Sequence, residues 1–131
     1  MQLKEYPIYI AMSKELSKQE SRNLAMNIVG EELKKEGYEF LAIKSDLKKN
    51  PQFVVLKDKV TSFILVRAVS NPEKLNDYQH ISTKAIKDHA KQFNVRVYYA
   101  GVWLGHGVDI NQPILNGEEY SYVYSGLIEI I

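Results

Sequence analysis

The sequence predicts an α/β protein in which a mixed β-sheet of four to five strands is flanked by two helices. Two segments with helical periodicity enclose three extended runs, and a strongly β-forming run follows the second segment. This α-β-β-β-α-β order, with a closing strand at the end, usually builds one sheet with a helical layer on each side. A right-handed crossover through the second helix would make the flanking strands parallel.

The first helix is predicted over residues 13–36. Ser13 or Ser17 can cap its start, and the sequence S-K-Q-E at 17–20 matches a capping box. Gly37 ends the helix. The apolar stripe that defines it consists of Leu24, Ala25, Ile28, Val29 and Leu33.

Three extended runs follow, at 38–44, 52–56 and 60–69. The sequence K-D-K at 57–59 is typical of a turn, so the second and third runs are predicted to form a hairpin. The third run, V-T-S-F-I-L-V-R-A-V, is apolar enough for a buried strand, yet it carries Arg67 near its end.

The second helix is predicted over 76–93, and Asn94 is a plausible stop. Branched and aromatic residues then predict a strand at 95–105. A loop is expected at 105–117 and a closing strand at 119–131, with a bend at Gly126. The apolar face of the second helix consists of Tyr78, Ile81, Ala85, Ile86, His89 and Phe93.

Composition excludes several classes of protein. The 131 residues include no cysteine, which removes disulfides, iron–sulfur ligation and cysteine nucleophiles. No apolar stretch approaches the roughly 20 residues of a membrane span, and the N-terminal apolar run is too short for a signal-peptide core. A cytoplasmic protein without membrane contact is expected.

Charge is unevenly distributed along the chain. The net charge is +1, but residues 1–100 carry +5 and residues 101–131 carry −4, with no lysine or arginine in the second range. A basic body of this kind can steer an anionic partner to one face. The alternative is an ordinary solvated surface with a chance asymmetry.

Particular residues then point to a known family. The sequence E-E-L-K-K-E-G-Y-E-F-L (31–41), a hairpin, a helix and the V-Y-Y-A-G-V strand occur in an order that covers residues 17–104. The chain resembles the PD-(D/E)XK nuclease superfamily and, within it, the YraN-like (UPF0102) bacterial family. The resemblance implies that residues 1–131 form one restriction-endonuclease-like domain.

The same resemblance implies a degenerate catalytic site. In the superfamily, an acid on one hairpin strand and an E-x-K motif on the next bind a divalent metal, which activates water for attack on a phosphodiester. Without gaps, these positions fall on Gln52, Leu65 and Arg67. Leucine cannot bind a metal, glutamine offers only a neutral carbonyl, and arginine does not release a proton to act as a base. We therefore expect no catalytic residue, metal or cofactor at this site.

Relocated carboxylates are the alternative. Glu20 or Glu32 on the first helix would then replace the strand acids and hold Mg²⁺. Asp77 and Asp88 are the corresponding candidates on the second helix. The competing interpretation is that all four acids lie on solvated helix faces.

Histidines and tyrosines offer weaker signals. His80, His89 and His106 form no zinc motif; His89 is expected in the core or at its boundary, and His106 lies in a G-H-G turn. A row of tyrosines in the closing strand suits either packing against a helix or a protein interface. The row consists of Tyr120, Tyr122 and Tyr124.

The sequence thus favours a non-catalytic, nuclease-like domain that acts as a binding or assembly module. Nucleic acid is its expected anionic partner, contacted through the basic side of the hairpin, where Arg67 would be a phosphate-binding remnant. One alternative is an active metal-dependent DNA or RNA nuclease, and another is a structural protein that dimerises through its C-terminal strand. The predicted contact surface consists of Lys44, Lys48, Lys49, Lys57, Lys59 and Arg67.

Overall fold

The computed structural model describes residues 15–79, 81–107, 109 and 112–131. Within them, two α-helices and five β-strands follow one another in the predicted order. In chain order these are α1 (Lys18–Lys35), β1 (Glu39–Ile43), β2 (Phe53–Lys57), β3 (Val60–Val69), α2 (Lys84–Phe93), β4 (Arg96–His106) and β5 (Tyr120–Glu129).

The five strands form one mixed sheet in the order β1-β2-β3-β4-β5. All neighbours are antiparallel except β3 and β4, which run parallel in a register from Ser62 opposite Arg96 to Val69 opposite Trp103. Helix α2 lies in the crossover between these two strands. The predicted α/β fold, a mixed sheet of four to five strands with two helices, is confirmed, and the sheet has five strands.

Each face of the sheet buries its own core. Alternation along β3 sends Ile64 and Val66 to the α1 side, whereas Phe63 and Leu65 pack on the α2 side. The α1 side is the larger cluster, because an 18-residue helix lies over it and buries residues such as Val29 and Leu33. Helix α2 is ten residues long and buries only Ile86 and Ala90.

Helix α1 begins later than the sequence predicts. Ser17 is its N-cap in a complete capping box: the Glu20 amide donates to Ser17 Oγ at 3.1 Å, and the Ser17 amide donates to Glu20 Oε1 at 2.9 Å. Glu15 and Leu16 pair with a later segment instead of joining the helix: Glu15 forms an antiparallel bridge with Leu115, and the Leu16 amide donates to the Ile114 carbonyl at 3.1 Å. Ser13, the other predicted cap, lies outside the described residues.

The second helix is shorter than predicted, and a start at residue 76 is wrong. Residues 84–93 are helical, whereas Pro72–Lys74 form a single 3₁₀ turn capped by the Asn71 side chain. Asp77 Oδ1 accepts a hydrogen bond from the Gln79 amide at 3.0 Å, which holds the backbone in a local turn. Short polar side chains of this kind compete with helical hydrogen bonding. Asn94, with φ +53°, ends the helix as predicted.

A bend at Gly126 in β5 was predicted and is confirmed. Gly126 has φ +76°, and the register of β4 against β5 shifts between Ala100 and Val102. The Gly101 amide donates to Ser125 Oγ at 2.9 Å, so a serine hydroxyl satisfies the amide that the shift leaves without a strand partner.

Candidate functional site

Gln52 is fully buried immediately before β2, and its side chain continues the hydrogen-bond ladder of the sheet. Its backbone amide donates to the Ile64 carbonyl at 3.0 Å, as expected for a strand residue. Its side-chain Oε1 then accepts from the Val66 amide at 2.8 Å, where a further strand residue would otherwise accept. Its Nε2 donates to the Lys49 carbonyl at 2.7 Å. Both the oxygen and the nitrogen of the side-chain amide therefore have hydrogen-bond partners.

Arg67 is held by neutral oxygen atoms. Its Nη1 donates to Gln52 Oε1 at 2.9 Å and to the Val66 carbonyl at 2.8 Å, and its Nη2 donates to Asn50 Oδ1 at 2.9 Å. Burial, and to a smaller extent the positive charge of Arg22, lowers the pKa of Arg67 to about 10. The guanidinium keeps its charge at neutral pH without a neutralising carboxylate among these acceptors.

Leu65 is fully buried on the α2 side of β3. It packs in the same cluster as Tyr99 and Ile86, and it lies one position beyond Ile64, the partner of Phe53 in β2. The three nuclease-like positions thus fall into two groups. Gln52 and Arg67 bond to each other, and Leu65 forms part of the hydrophobic core. An amide, a guanidinium and an isobutyl group offer a hard cation no carboxylate oxygen.

Glu20 and Glu32 lie at opposite ends of α1. Twelve residues of helix rise about 18 Å, so the two carboxylates do not converge. Glu20 closes the capping box and accepts a hydrogen bond on Oε2 from Asn116 Nδ2 at 3.1 Å. Glu32 Oε1 lies 3.6 Å from Lys35 Nζ on the helix surface. The structure does not bring these two candidate metal ligands together.

The aspartates near α2 also have structural partners. Asp77 accepts the hydrogen bond from Gln79 described above. Asp88 Oδ2 lies 2.9 Å from Lys84 Nζ on the exposed face of α2, and this hydrogen bond is the main reason that its pKa is lowered. Within the part of the chain that the structure describes, no three histidine, aspartate or glutamate side chains lie close enough together to hold a metal ion.

The six predicted nucleic-acid contacts are divided between the two ends of the sheet. Lys44, Lys48 and Lys49 lie in the β1–β2 loop, which meets Arg67 through Asn50 and Gln52. The other two lysines, 57 and 59, flank the β2–β3 turn at the far end of β2. A five-residue strand spans roughly 17 Å. The structure therefore gathers four of the six residues at one end of the sheet and leaves two at the other.

Two further cations at the Arg67 end were missed from the sequence. Arg22 is only 7% exposed although it carries a charge, and burial lowers its pKa. Lys18 lies one helical turn before it, and both line a cavity beside the ends of β3 and β4. One signal in the sequence was available: Arg22 has the same helical spacing as Met26, Val29 and Leu33, and so lies on the buried face of α1.

The remaining predicted residues have mixed outcomes. His89 is exposed rather than in the core, and its ring lies 5.7 Å from that of Phe63 and 5.0 Å from that of Phe93. His106 Nδ1 accepts from the Asp109 amide at 3.0 Å, which fits a role in the turn. His80 lies outside the described residues.

The tyrosine row on β5 is only partly buried. Tyr124 packs against the α1-side core, whereas Tyr120 and Tyr122 are exposed at the start of the strand. Burial raises the pKa of Tyr124, and Glu36 and Glu32 act in the same direction. The row therefore combines helix packing at one end with a free apolar surface at the other.

The fold and this geometry define a small α/β protein with a partly buried amide–guanidinium pair and a cation-lined cavity at one end of its sheet. Residues 19–130 match the family model described as a domain of unknown function (DUF8840), and the chain belongs to this family. No significant match was found among curated proteins or among solved structures. None of the helices in the described part of the chain is both long and apolar enough to cross a membrane.

Proposed function

We propose that this protein is a non-catalytic binding module with a degenerate nuclease-like core, and that it contacts the phosphates of nucleic acid. One observation carries the proposal. Gln52 and Arg67 form hydrogen bonds with each other and with the backbone, and Leu65 is buried in the core, so none of the three is available to bind a metal ion. The succession of α1, three antiparallel strands, α2 and a parallel β4 supports the resemblance to the nuclease superfamily.

Metal-dependent hydrolysis would require oxygen ligands at these positions. Mg²⁺ binds through carboxylates and substrate phosphates, and neither a leucine side chain nor a cation can replace a carboxylate. The Gln52 oxygen already accepts from the Val66 amide and from Arg67 Nη1, so coordination would break the ladder at this point. These contacts support a structural role for the former catalytic positions.

Nucleic-acid contact is assigned to the loop between β1 and β2. Lys44, Lys48 and Lys49 are exposed in this loop. The loop is fixed to the body of the protein, because Gln19 Nε2 donates to the Ser45 carbonyl at 2.7 Å and Arg67 bonds to Asn50. Lysines presented by a fixed loop can contact successive phosphates, whose attraction is independent of base sequence and sensitive to salt.

Binding can be tested with two charge-matched variants. Lys48→Gln combined with Lys49→Gln should weaken binding to a short DNA or RNA oligonucleotide and reduce the slope of log K against log salt by up to about 1.8 for two lost phosphate contacts. Lys57→Gln combined with Lys59→Gln removes the same charge at the other end of the sheet and should change the slope little. Equal losses in both variants, or salt-insensitive binding, would contradict this assignment.

The absence of catalysis is tested separately. Plasmid nicking with Mg²⁺ or Mn²⁺ should not exceed that of a buffer control. Glu20→Gln and Glu32→Gln are suitable variants, because glutamine can still serve in a capping box at position 20. Metal-dependent nicking that follows the purified protein and disappears in either variant would replace this proposal with the active-nuclease alternative.

Dimerisation through β5 is a second candidate function, favoured by the exposed edge of the sheet. Residues 120–123 are all exposed on an edge strand, and Tyr122 and Val123 are each about half exposed, at 48% and 49%. Sedimentation of the chain and of Val123→Lys provides the test, since a lysine on an edge strand opposes edge-to-edge pairing. A concentration-dependent dimer that Val123→Lys converts to a monomer would favour this candidate.

A further inference from the structure

A cavity of about 840 Å³ opens where the ends of β3 and β4 meet the first turns of α1. Its volume falls within the range of small-molecule sites in proteins. Polar groups enter it from the helix and apolar groups from the strands and from the β1–β2 loop. Its walls include Lys18, Ser21, Arg22, Leu47, Ala68 and Trp103.

Arg22 is the unusual group in this wall. The residue is only 7% exposed, and its Nη1 has no hydrogen-bond partner. No ion pair joins it to any residue that the structure describes. A buried guanidinium nitrogen without an acceptor carries a desolvation penalty that an anion bound beside the guanidinium would relieve. The penalty indicates that this arginine is kept for something other than the stability of the unliganded chain.

The electrostatic surroundings favour an anion. Lys18 lies at i−4 on the same face of α1 and is exposed at the cavity wall. Arg67 adds positive potential from the neighbouring strand, since its charge and that of Arg22 repel each other. Glu15 is the one acid among the described residues of the wall, so cations outnumber carboxylates there. The Ser21 side chain, also in the wall, carries a hydroxyl that can donate to an oxyanion.

We propose that this cavity binds a small phosphate monoester, with the phosphate held by Arg22 and Lys18. An arginine fork matches two oxygen atoms of a phosphate group, and a lysine beside it serves as a second point charge. Leu47 and Trp103 provide an apolar wall on which a flat or hydrocarbon moiety of the ligand rests. The site does not depend on the proposed nucleic-acid contacts, because it lies beside α1 and involves none of the loop lysines.

Calorimetry and thermal unfolding with simple probes provide the test. The probes are inorganic phosphate, phenyl phosphate and phenol, each compared with sodium chloride at matched ionic strength. We expect saturable binding of both phosphates, tighter for phenyl phosphate, and a rise of about 5 °C in Tm at a tenfold excess over the Kd. Phenol and chloride should produce no comparable shift. Indistinguishable responses to phosphate and chloride would overturn the proposal.

Three variants separate binding from structure. Arg22→Met keeps an apolar side chain of similar length and should raise the Tm of the unliganded protein, because it removes the buried charge. It should also lower the affinity for phosphate by a factor of about ten or more. Lys18→Gln should weaken it about twofold to fivefold. Lys34→Gln, on the last turn of the same helix, is the control and should bind as the unsubstituted chain does. An Arg22→Met protein that is less stable and still binds phosphate normally would refute the site; if this variant does not fold, unchanged affinity in Lys18→Gln would do so.

The source of the phosphate is resolved by a further comparison. An oligonucleotide without terminal phosphate offers only diesters, whereas phenyl phosphate offers a monoester. We expect phenyl phosphate to remain bound when Lys48 and Lys49 are both replaced by glutamine. If the protein binds phenyl phosphate but no oligonucleotide, the proposed nucleic-acid function is wrong and the phosphate site is supported. If it binds the oligonucleotide but not phenyl phosphate, the phosphate site is wrong and the proposed function is supported. Displacement of phenyl phosphate by the diester oligonucleotide at equal phosphate concentration would contradict a monoester site.

Discussion

Two polar side chains in the interior of this protein show how differently a buried group can be accommodated. Gln52 uses its amide oxygen and nitrogen fully, so its burial is compensated by bonds to Val66, Arg67 and Lys49. Arg22 is buried to a similar extent, but one of its nitrogen atoms has no acceptor. The first residue stabilises the sheet, whereas the second places an uncompensated charge beside a cavity.

Replacement of Gln52 by leucine should destabilise the protein by roughly 2–4 kcal/mol, because it leaves the Val66 amide and part of the Arg67 guanidinium without acceptors. Urea unfolding measures the change. Gln92→Leu, on the exposed face of α2, is the matched control and should stay within about 0.5 kcal/mol. A similarly small effect of Gln52→Leu would mean that the buried hydrogen bonds contribute little.

The burial of Tyr124 should make the free energy of unfolding fall above pH 10. Its folded pKa is raised above the ordinary value of 10.0, chiefly by burial. Above pH 10 the unfolded chain therefore releases a proton that the folded chain retains, and stability falls as pH rises, by up to about 1.4 kcal/mol per pH unit for this group. Tyr124→Phe should flatten that fall between pH 10 and 11 in urea unfolding. Tyr122→Phe, which removes an exposed phenol from the same strand, is the control; an identical slope in all three proteins would contradict the assignment.

At the scale of elements, helices and strands defined by apolar spacing were predicted correctly, whereas an end set by local hydrogen bonds was not. The core of α1, the three antiparallel strands and the parallel β4 follow from the spacing of apolar residues, which the sequence displays directly. The second helix was predicted too long because Tyr78 and Ile81 have helical spacing and do pack in the α2-side core, but from a turn. Local bonds from Asn71 and Asp77 decide that backbone, and apolar spacing does not report them.

The β2–β3 turn offers a stabilising substitution. Asp58 and Lys59 both have positive φ, +51° and +67°, and they join Lys57 to Val60 in a two-residue hairpin. Because a residue with a Cβ is disfavoured in this region, Lys59→Gly should stabilise the protein by roughly 0.5–1 kcal/mol. Thermal unfolding checks it. Lys57→Gly, placed in the strand itself, should destabilise the chain, and a loss of stability in Lys59→Gly would mean that the turn is not of this type.

At the scale of the whole molecule, the sheet has a central pair of strands and two unequal edges. Strands β3 and β4 contribute buried residues to both hydrophobic clusters. In β1, only Phe40 packs against the α1-side cluster, and Ile43 is 64% exposed. The register of β1 against β2 also shifts between Phe40 and Ala42. Stability should therefore decrease from the centre of the sheet toward β1.

Hydrogen exchange followed by mass spectrometry can measure this gradient. Amides in β3 and β4 should exchange only through global unfolding, and those in β1 at least roughly tenfold faster through local opening. The effect of a mild denaturant provides the internal control, since global opening accelerates with denaturant and local opening hardly does. Equal protection of β1 and β3 would show that the sheet opens as one unit.

The sequence did not predict which residues from distant parts of the chain lie close together in the fold. The six basic residues look continuous along the chain, yet β2 separates Lys57 and Lys59 from the others. Glu20 and Glu32 look interchangeable as acids of one helix, but they lie at its opposite ends. The cavity beside Arg22 involves α1, two strand ends and a loop, and no single stretch of sequence contains that arrangement.

The burial of Leu65 makes a metal site at this end of the sheet costly to build. A carboxylate at this position would stand in the hydrophobic cluster of Tyr99, Ile86 and Phe63, where Leu65 has no exposed surface. An acid at position 52 would give up the bonds that the Gln52 nitrogen donates to Lys49 and Asn50. Each of these two substitutions would therefore cost stability, so the packing that stabilises the sheet also keeps metal-binding carboxylates out of positions 52 and 65.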